Sequence, residues 1–394
     1  MSREVVVVNG ARTAIGTFGG SLKDISPSEL AARVVKEAVS RAGVDPQQVG
    51  HLVLGHVVHT EPKDQYISRL AAVNGGLPHE CSALTVNRLC GSGLQAIVSA
   101  AQSIMLGDTD IAVGGGAESM SRGGYMMPSA RFGARMGDTK LVDMMVGALT
   151  DPFDTVHMGM TAENIANKWG ISREAQDQFA LESQKRADAA IKAGHFKSQI
   201  LPIELKSRKG VTMFDTDEHP KSDTTMETLA KLKTAFVREN GSVTAGNASG
   251  INDGAAAVVL MEAGAASKAG LKPMARLVAY GHAGVDPKFM GIGPVPAVRT
   301  ALQRAGLKVS DIDIIESNEA FAAQACAVAK DLDFDPAKVN VNGGAIALGH
   351  PIGATGAILT VKAIYELQRT AKRYALVTMC IGGGQGIAAI YERM

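Results

Sequence analysis

Two cysteines and one histidine in glycine-rich turns are the residues of this sequence best suited to chemistry. Cys90 stands between a short apolar strand and a helix, in the segment N-R-L-C-G-S-G. A cysteine beside the free N–H groups and positive dipole of a helix N-terminus is favoured as the thiolate. The two glycines let the backbone turn sharply and come close to a bound group. The segment therefore predicts either an activated nucleophile or a small buried hydrophobic residue at a tight turn.

His350 lies in a similar turn late in the chain, in N-G-G-A-I-A-L-G-H-P-I-G-A-T-G. A helix is expected to begin after Pro351, so the imidazole is predicted at a positive helix end. That position disfavours imidazolium and leaves a base available near neutral pH. A lone histidine before a proline is usually structural, but its place as the counterpart of Cys90 in the second half of the chain favours catalysis.

Three further stretches carry polar or glycine-rich patterns. Cys380, in T-M-C-I-G-G-G-Q-G, ends a buried strand, and the amides of following glycines such as Gly382 could face an oxyanion. Asn318, in S-N-E-A-F, follows another strand, where α/β sheets place ligand groups, although a helix N-cap is the simpler interpretation of a lone asparagine. The segment from Val243 to Gly254, V-T-A-G-N-A-S-G-I-N-D-G, which includes Ser249, is too rich in glycine and alanine for a plain strand and permits close ligand approach.

The elements that must position these turns occur twice. Ala38–Gly55 and Ala301–Asn318 both show a helix, an R-A-G stop, a short polar turn and an apolar strand. Each is followed by a glycine-rich strand-to-helix turn, and then by a strand predicted to end in three glycines, Gly114–Gly116 and Gly382–Gly384. This order of landmarks predicts an internal duplication of one βαβ-type unit.

Composition excludes several classes of protein. Hydrophobic residues make up 46% and charged residues 20% of the 394 residues, and 44 glycines favour an α/β fold with many tight turns. A net charge of +1 argues against a nucleic-acid or anionic-membrane partner. The N-terminal apolar run is short and predicts a strand, and we expect no apolar stretch long enough to cross a bilayer. The four cysteines match neither a disulfide framework nor a metal pattern, which favours a reducing cytoplasm.

Seven motifs in order along almost the whole chain resemble the thiolase family, in particular the bacterial short-chain β-ketothiolases. The motifs are N-R-L-C-G-S-G, G-A-E-S-M, H-M-G-M-T-A-E-N, T-A-G-N-A-S-G, S-N-E-A-F, G-G-A-I-A-L-G-H-P-I-G-A-T-G and C-I-G-G-G-Q-G. The resemblance implies the thiolase fold, in which two βαβαβαββ halves form a five-layered α-β-α-β-α core with an inserted loop domain. The implied divisions are 1–118 with 250–271 for the first half, 119–249 for the insertion and 272–394 for the second half.

The resemblance implies a ping-pong Claisen condensation of acyl-CoA with acetyl-CoA to 3-ketoacyl-CoA and CoA, and the reverse thiolysis, with short-chain substrates favoured. In that scheme Cys90 carries the acyl group, His350 takes the thiol proton, and Cys380 exchanges a proton with C2 of acetyl-CoA. One oxyanion hole combines His350 with a water held by Asn318. The other is formed by the backbone amides of Cys90 and Gly382.

The resemblance also implies a binding site for the CoA thioester between the insertion and the body. Ser249 touches the pantetheine arm, Met290 approaches the acyl group, and Lys221 stands where the family usually has an arginine for the phosphates. The residues implied to line the tunnel are His157, Met158, Phe236 and Phe321. No cofactor and no metal are implied, because CoA thioesters are substrates, and the expected assembly is a homotetramer built as a dimer of dimers.

Two alternatives stay open at this point. A β-ketoacyl synthase-type condensing enzyme has the same fold, but that family typically carries a histidine where this chain has Cys380. A non-catalytic relative that binds CoA or lipid would be expected to lack one of Cys90, His350 and Cys380, and all three are present.

Overall fold

A computed structural model describes residues 3–207 and 210–394 of the chain, in which strands and helices alternate. The strands are β1 Val5–Thr13, β2 Gly16–Thr17, β3 His51–Gly55, β4 Ser82–Val86, β5 Ile111–Ser119, β6 Tyr125–Met126, β7 Val142–Asp143, β8 Ile200–Leu201, β9 Ile203–Ser207, β10 Gly210–Phe214, β11 Asn252–Glu262, β12 Ala275–Gly284, β13 Ile314–Ser317, β14 Tyr374–Ile381 and β15 Gln385–Arg393. The helices are α1 Pro27–Ala42, α2 Ile67–Asn74, α3 Ser92–Leu106, α4 Met144–Ala148, α5 Met158–Trp169, α6 Arg173–Lys192, α7 Met226–Ala230, α8 Ala263–Lys268, α9 Pro294–Ala305, α10 Ala322–Asp331, α11 Ala345–Leu348 and α12 Thr355–Thr370.

The order of the main strands displays the predicted duplication. It runs β13-β14-β15-β12-β1-β11-β5-β3-β4, so that β1 and β12 meet in the middle. They pair antiparallel over a short register, Val6 with Arg276 and Val7 with Ala275. The strand order outward from this contact is β1-β11-β5-β3 on one side and β12-β15-β14-β13 on the other, and the two series correspond strand by strand. The two halves of the chain therefore build the same arrangement of strands.

Helices cover and separate the two halves of the sheet. Helix α1 packs on strands of the first half and α9 on strands of the second half. Helices α3 and α12 pack against each other and against strands of both halves. The result is the α-β-α-β-α layering that was predicted. Helices α1 and α9 both end at the glycine of R-A-G, where Gly43 has φ 65° and Gly306 has φ 66°, a left-handed conformation that glycine adopts without steric cost.

A pair of glycines lets the two central helices meet at their first turns. A Cβ atom on Gly93 would lie 2.8 Å from the backbone nitrogen of Ala357, and one on Gly356 would lie 2.2 Å from that of Leu94. Side chains at these positions would force the helices apart. Because Cys90 precedes α3 and His350 precedes α12, this close contact brings the two predicted catalytic turns to one place.

The first glycine run does not end a strand as predicted. Gly114–Gly116 lies inside β5, which continues to Ser119, whereas the second run follows β14. The reason is steric: a Cβ atom on Gly114 would lie 2.7 Å from the Cα of Ile97, and one on Gly116 would lie 2.2 Å from the carbonyl oxygen of Gly353. These glycines make room for α3 and for the His350 turn.

One apolar segment is longer than the sequence analysis expected. Leu89–Leu106 has the length and mean hydropathy, 1.3, of a membrane-spanning helix, and 56% of it is buried inside the protein. Most of the segment is α3, whose apolar residues pack between the two halves of the sheet. Packing in the central layer accounts for its hydropathy.

The region between the halves contains β6–β10 and α4–α7. The exact domain limits, 1–118 with 250–271, 119–249 and 272–394, stay a prediction.

Candidate active site

One cavity collects most of the predicted site residues. It has a volume of about 280 Å³, and its walls include Cys90, His350 and Gly382. The predicted substrate-binding residues that also line it are His157, Met158, Phe236, Ser249, Met290 and Phe321. Residues from both halves of the duplicated fold and from the intervening region therefore face a single space.

Cys90 is held at the start of α3 by a tight turn. The residue before it, Leu89, has φ 43°, a conformation that is unusual for a side chain with a Cβ atom. The hydroxyl of Ser92 accepts a hydrogen bond from the Arg88 nitrogen at 2.8 Å and donates one to the Leu89 carbonyl at 2.6 Å. The backbone N–H groups of Gly382 and of Cys90 itself are directed at the Cys90 sulfur. These donors stabilise negative charge at that point.

The predicted preference of Cys90 for the thiolate is wrong. Burial raises the pKa of the Cys90 thiol to about 11, and the charge of Glu118 acts in the same direction. The N–H groups of Gly382 and Cys90 lower the pKa, but burial is the larger effect. Cys90 is therefore a thiol near neutral pH, and its use as a nucleophile requires a base beside it.

His350 supplies a neutral imidazole. Its Nδ1 atom lies 2.7 Å from the Thr355 hydroxyl, which donates its own proton to the Pro351 carbonyl at 2.9 Å. We assign the imidazole proton to Nδ1 on this basis, which leaves Nε2 as an acceptor. Burial lowers the pKa of His350 to about 4. The base expected near neutral pH is thus present, with burial as the cause in place of the predicted helix dipole.

Asn318 lies directly against this imidazole. Its side-chain nitrogen is 3.4 Å from the Nε2 atom of His350. Its backbone is fixed by a bond from its N–H to the Thr378 carbonyl, 3.0 Å, and by a bond that its carbonyl accepts from Gln324, 3.2 Å. Among the described residues the buried Oδ1 atom has no hydrogen-bond partner. The amide therefore keeps one acceptor available beside the imidazole.

Cys380 is buried near the end of β14, in an apolar cluster that includes Met158, Met290 and Phe321. Burial raises the pKa of the Cys380 thiol, and the neighbouring Cys90 sulfur raises it further. The two sulfurs therefore lie within electrostatic range of each other. A thiolate at Cys380 would be a strong base, because a higher pKa means a greater affinity for a proton.

Aromatic side chains form the walls of the cavity farther from the sulfurs. The rings of His157 and Phe236 are stacked at 4.7 Å, and Phe236 meets Phe321 edge to face at 6.4 Å. The Nδ1 atom of His157 accepts a hydrogen bond from the Gly159 N–H at 3.0 Å, and burial lowers the pKa of this imidazole. This wall is uncharged and suits an uncharged, mostly apolar chain.

Lys221 does not lie in the main cavity. It is exposed and lines a second cavity of about 300 Å³, together with residues such as His219. The two cavities share Ala245 and Gly250 in their walls. The structure therefore places Lys221 in the adjoining space, apart from the sulfurs and the imidazole.

Several lining residues were missed by sequence reasoning. Ala320 and Ile352 line the cavity one and two positions from predicted residues, so the motifs themselves pointed to them. Leu149 also lines the cavity. This residue belongs to no motif, and only the folding of the chain brings it to the cavity. In the part of the chain that the structure describes, no group of three or more His, Cys, Asp or Glu side chains is arranged to hold a metal ion.

Comparisons with known proteins agree with this architecture. The thiolase N-terminal domain matches residues 5–264 and the thiolase C-terminal domain matches residues 271–393. The chain is 68% identical to the β-ketothiolase BktB of Cupriavidus necator and 52% identical to an acetyl-CoA acetyltransferase of Allochromatium vinosum; each match covers 100% of both chains.

Solved structures give the same result. The acetyl-CoA acetyltransferase of Bacillus anthracis superposes with a TM-score of 0.97 at 46% identity, covering 100% of this chain and 99% of that one. Human mitochondrial 3-ketoacyl-CoA thiolase in complex with CoA has a TM-score of 0.97 at 45% identity, covering 100% of this chain and 98% of that one. The fold and its relatives define the chain as an acyltransferase. Within that class, it belongs to the thiolase family.

Proposed function

We propose that this chain catalyses the reversible condensation of a short-chain acyl-CoA with acetyl-CoA to 3-ketoacyl-CoA and CoA, with Cys90 as nucleophile. One observation carries the proposal: Cys90, His350 and Gly382 line one cavity, and the Cys380 sulfur lies within electrostatic range of the Cys90 sulfur. CoA thioesters are substrates in this scheme, and no cofactor takes part.

The first half-reaction transfers the acyl group to the enzyme. The Cys90 proton passes to Nε2 of His350, and the sulfur forms a bond to the thioester carbon. The carbonyl oxygen becomes an oxyanion that accepts from the N–H groups of Cys90 and Gly382. The C–S bond to CoA then breaks, and the CoA sulfur takes the proton of Cys380, which leaves Cys380 as the thiolate and His350 protonated at Nε2. This division of the transfer into two steps lowers the barrier to each.

The second half-reaction forms the carbon–carbon bond. Cys380, as the thiolate, removes a proton from C2 of acetyl-CoA, and the thioester oxygen gains enolate charge. His350 and a water held by Asn318 are the donors for that oxygen. The C2 carbon forms a bond to the acyl carbon, and the Cys90 sulfur departs and takes back the proton held by His350. In thiolysis the same steps run in reverse.

The shape of the cavity supports the short-chain preference. About 280 Å³ must hold part of the pantetheine arm as well as the acyl group, and Met158, Met290 and Phe321 are bulky walls close to the sulfurs. Ser249 lines the same space, which suits a pantetheine contact. Lys221, in the adjoining cavity, is proposed to meet a CoA phosphate as a point charge.

Assembly and location are part of the proposal. Large apolar side chains are exposed in the region 125–153, among them Phe132 at 85% and Met136 at 97%, and such a surface favours contact with other copies of the chain. We propose a homotetramer, a dimer of dimers, which native mass spectrometry would test. The free thiols of Cys81, Cys90, Cys326 and Cys380 fit a reducing cytoplasm.

Steady-state kinetics tests the proposed reaction. The purified enzyme with 3-ketoacyl-CoA and CoA is expected to release acetyl-CoA with ping-pong kinetics, and kcat/KM is expected to fall as the acyl chain lengthens. A rate that requires acyl carrier protein in place of CoA would favour the β-ketoacyl synthase alternative. Binding of CoA without turnover would favour a non-catalytic relative.

A further inference from the structure

A buried carboxylate outside the proposed chemistry lies beneath the two catalytic turns. Glu118, near the end of β5, is fully buried. Its carboxylate accepts hydrogen bonds from the backbone N–H groups of Val57 at 3.1 Å, Val58 at 3.1 Å and Gly353 at 2.9 Å. Gly353 belongs to the turn that connects His350 to α12. One carboxylate therefore joins the segment after β3 to the His350 turn.

The contact between Glu118 and this turn is close. A Cβ atom on Gly353 would lie 2.5 Å from Oε2 of Glu118, and one on Gly116 would lie 2.2 Å from the Gly353 carbonyl oxygen. The turn thus rests directly on β5. The three backbone N–H groups favour the ionised carboxylate, but burial opposes them and favours the neutral acid.

A histidine and a second carboxylate extend the cluster away from the cavity. Nδ1 of His56 is 2.9 Å from the Ala117 carbonyl and 3.3 Å from Oε1 of Glu118. Its Nε2 is 3.9 Å from Oδ2 of Asp64, and the ring stacks on His59 at 5.3 Å. On the cavity side, the charge of Glu118 acts on Cys90. The groups that face Glu118 with a possible charge are therefore His56, Asp64 and Cys90.

We propose that Glu118 is a positioning residue for the reaction: it holds the His350 turn through Gly353, and its charge, when the carboxyl is ionised, opposes loss of the Cys90 proton. The inference rests on the roles proposed above for Cys90 and His350. It assigns a function to the G-A-E-S-M motif, which the catalytic scheme leaves unused.

The charge of Glu118 gives the inference a distinctive pH dependence. Burial raises the pKa of Glu118 to about 8, against the N–H groups that lower it. Below that pH the carboxyl is mostly neutral and does not affect Cys90. Above it the negative charge opposes the thiolate. Removal of the carboxyl should therefore leave the reactivity of Cys90 unchanged at low pH and increase it at high pH.

The test compares E118Q with wild type by iodoacetamide alkylation of Cys90, followed by peptide mapping from pH 6.5 to 9.5. The ratio of variant to wild-type rates should rise from about 1 to roughly three- to tenfold. Turnover should fall in the same variant, because the His350 turn loses its anchor. The matched control is E163Q: Glu163 is also buried and accepts bonds from the Ser242 and Val243 nitrogens, but its alkylation ratio should stay flat.

The Gly353→Ala variant separates the position of the His350 turn from the charge of Glu118. It is also the alternative test if E118Q does not fold. The added methyl group displaces the turn from Glu118 while the charge remains, so kcat should fall with an unchanged alkylation profile. A flat ratio in E118Q, an equal rise in E163Q, or full turnover in Gly353→Ala would overturn the inference. Failure of wild-type Cys90 to accept an acetyl group would instead refute the proposed function, and the alkylation profiles would remain interpretable.

Discussion

The two halves of this molecule place different chemistry on the same framework. In the first half, the turn before α3 carries a partly buried thiol that borders the cavity. In the second half, the turn before α12 carries a buried imidazole, and the end of β14 carries a buried thiol. The first half thus offers an atom that can bond to substrate, and the second offers groups that can move protons. Duplication supplied two equivalent turns, and their residues determine which task each performs.

Burial of both the Cys90 thiol and the His350 imidazole explains why neither half of the molecule can activate the nucleophile alone. Burial raises the pKa of Cys90 to about 11 and lowers that of His350 to about 4. At neutral pH the resting pair is therefore an uncharged thiol and an uncharged imidazole. Charge appears only when the proton moves during the reaction, where the N–H groups of the turns can stabilise it.

Removal of Cys90, the proposed nucleophile of the first half, should have the largest effect. Cys90→Ala leaves no atom to receive the acyl group, so turnover should fall by roughly 10⁴-fold or more. Assays of condensation and of thiolysis, each stopped at fixed times, measure the loss of turnover. Cys81→Ala, at another buried free cysteine, is the control and should retain the catalytic rate. Substantial turnover by Cys90→Ala would contradict the assignment of the nucleophile.

Removal of the second-half base should separate the two half-reactions. Cys380→Ser keeps Cys90 and His350, so acylation should proceed, whereas condensation should fall by roughly 10²- to 10⁴-fold because a serine hydroxyl is a far weaker base at this site. Rapid-quench analysis of acyl-enzyme and product measures the two steps separately. Equal losses in both steps would show that the halves do not divide the chemistry in this way.

A change at the junction of the halves should have an intermediate effect. A Cβ atom on Gly382 would lie 2.8 Å from Cε of Met158 and 3.0 Å from Cδ1 of Leu89. Because these are flexible ends of side chains, Gly382→Ala should narrow the cavity and lower kcat/KM by roughly tenfold. Measurement of kcat/KM with acyl chains of different length tests this narrowing. The value should fall more for the longer chains. An equal loss for all chains would place the effect on the N–H donor instead.

Lys221 lies in the adjoining cavity, apart from the catalytic turns of both halves, and its substitution should have the smallest effect. As an exposed charge it should contribute little to binding, so Lys221→Ala should raise KM for CoA thioesters a few-fold and leave kcat unchanged. Lys221→Arg should preserve or lower KM, because its planar head can bind a phosphate with two hydrogen bonds. Lys372→Ala, at an exposed position on another surface, controls for general charge. A fall in kcat would place Lys221 nearer to the chemistry than the structure does.

Sequence reasoning predicted the duplication because it depends on local patterns, and the resemblance to the thiolase family implied the layering. The R-A-G stops predicted the ends of α1 and α9, since glycine adopts the left-handed conformation required there. The four cysteines are free, as their spacing predicted.

What the sequence could not provide depends on neighbours that are distant along the chain. The direction of the Cys90 pKa shift was wrong because a turn reveals its helix end but not the depth of its burial. The prediction that Gly114–Gly116 ends a strand is wrong because a glycine run also permits close packing, and the residue that Gly116 meets, Gly353, is far along the chain. Leu149 lines the cavity but belongs to no motif, so its place there also depends on residues that are distant along the chain.

The most direct test of the account is the site and fate of the acetyl group after incubation with acetyl-CoA. Intact mass and peptide mapping of wild type and Cys380→Ser should each find one acetyl group on Cys90, and in the variant it should persist when more acetyl-CoA is added. Acetylation of another residue, or rapid transfer of the group by Cys380→Ser, would contradict the claim that one half bonds the substrate while the other moves its protons.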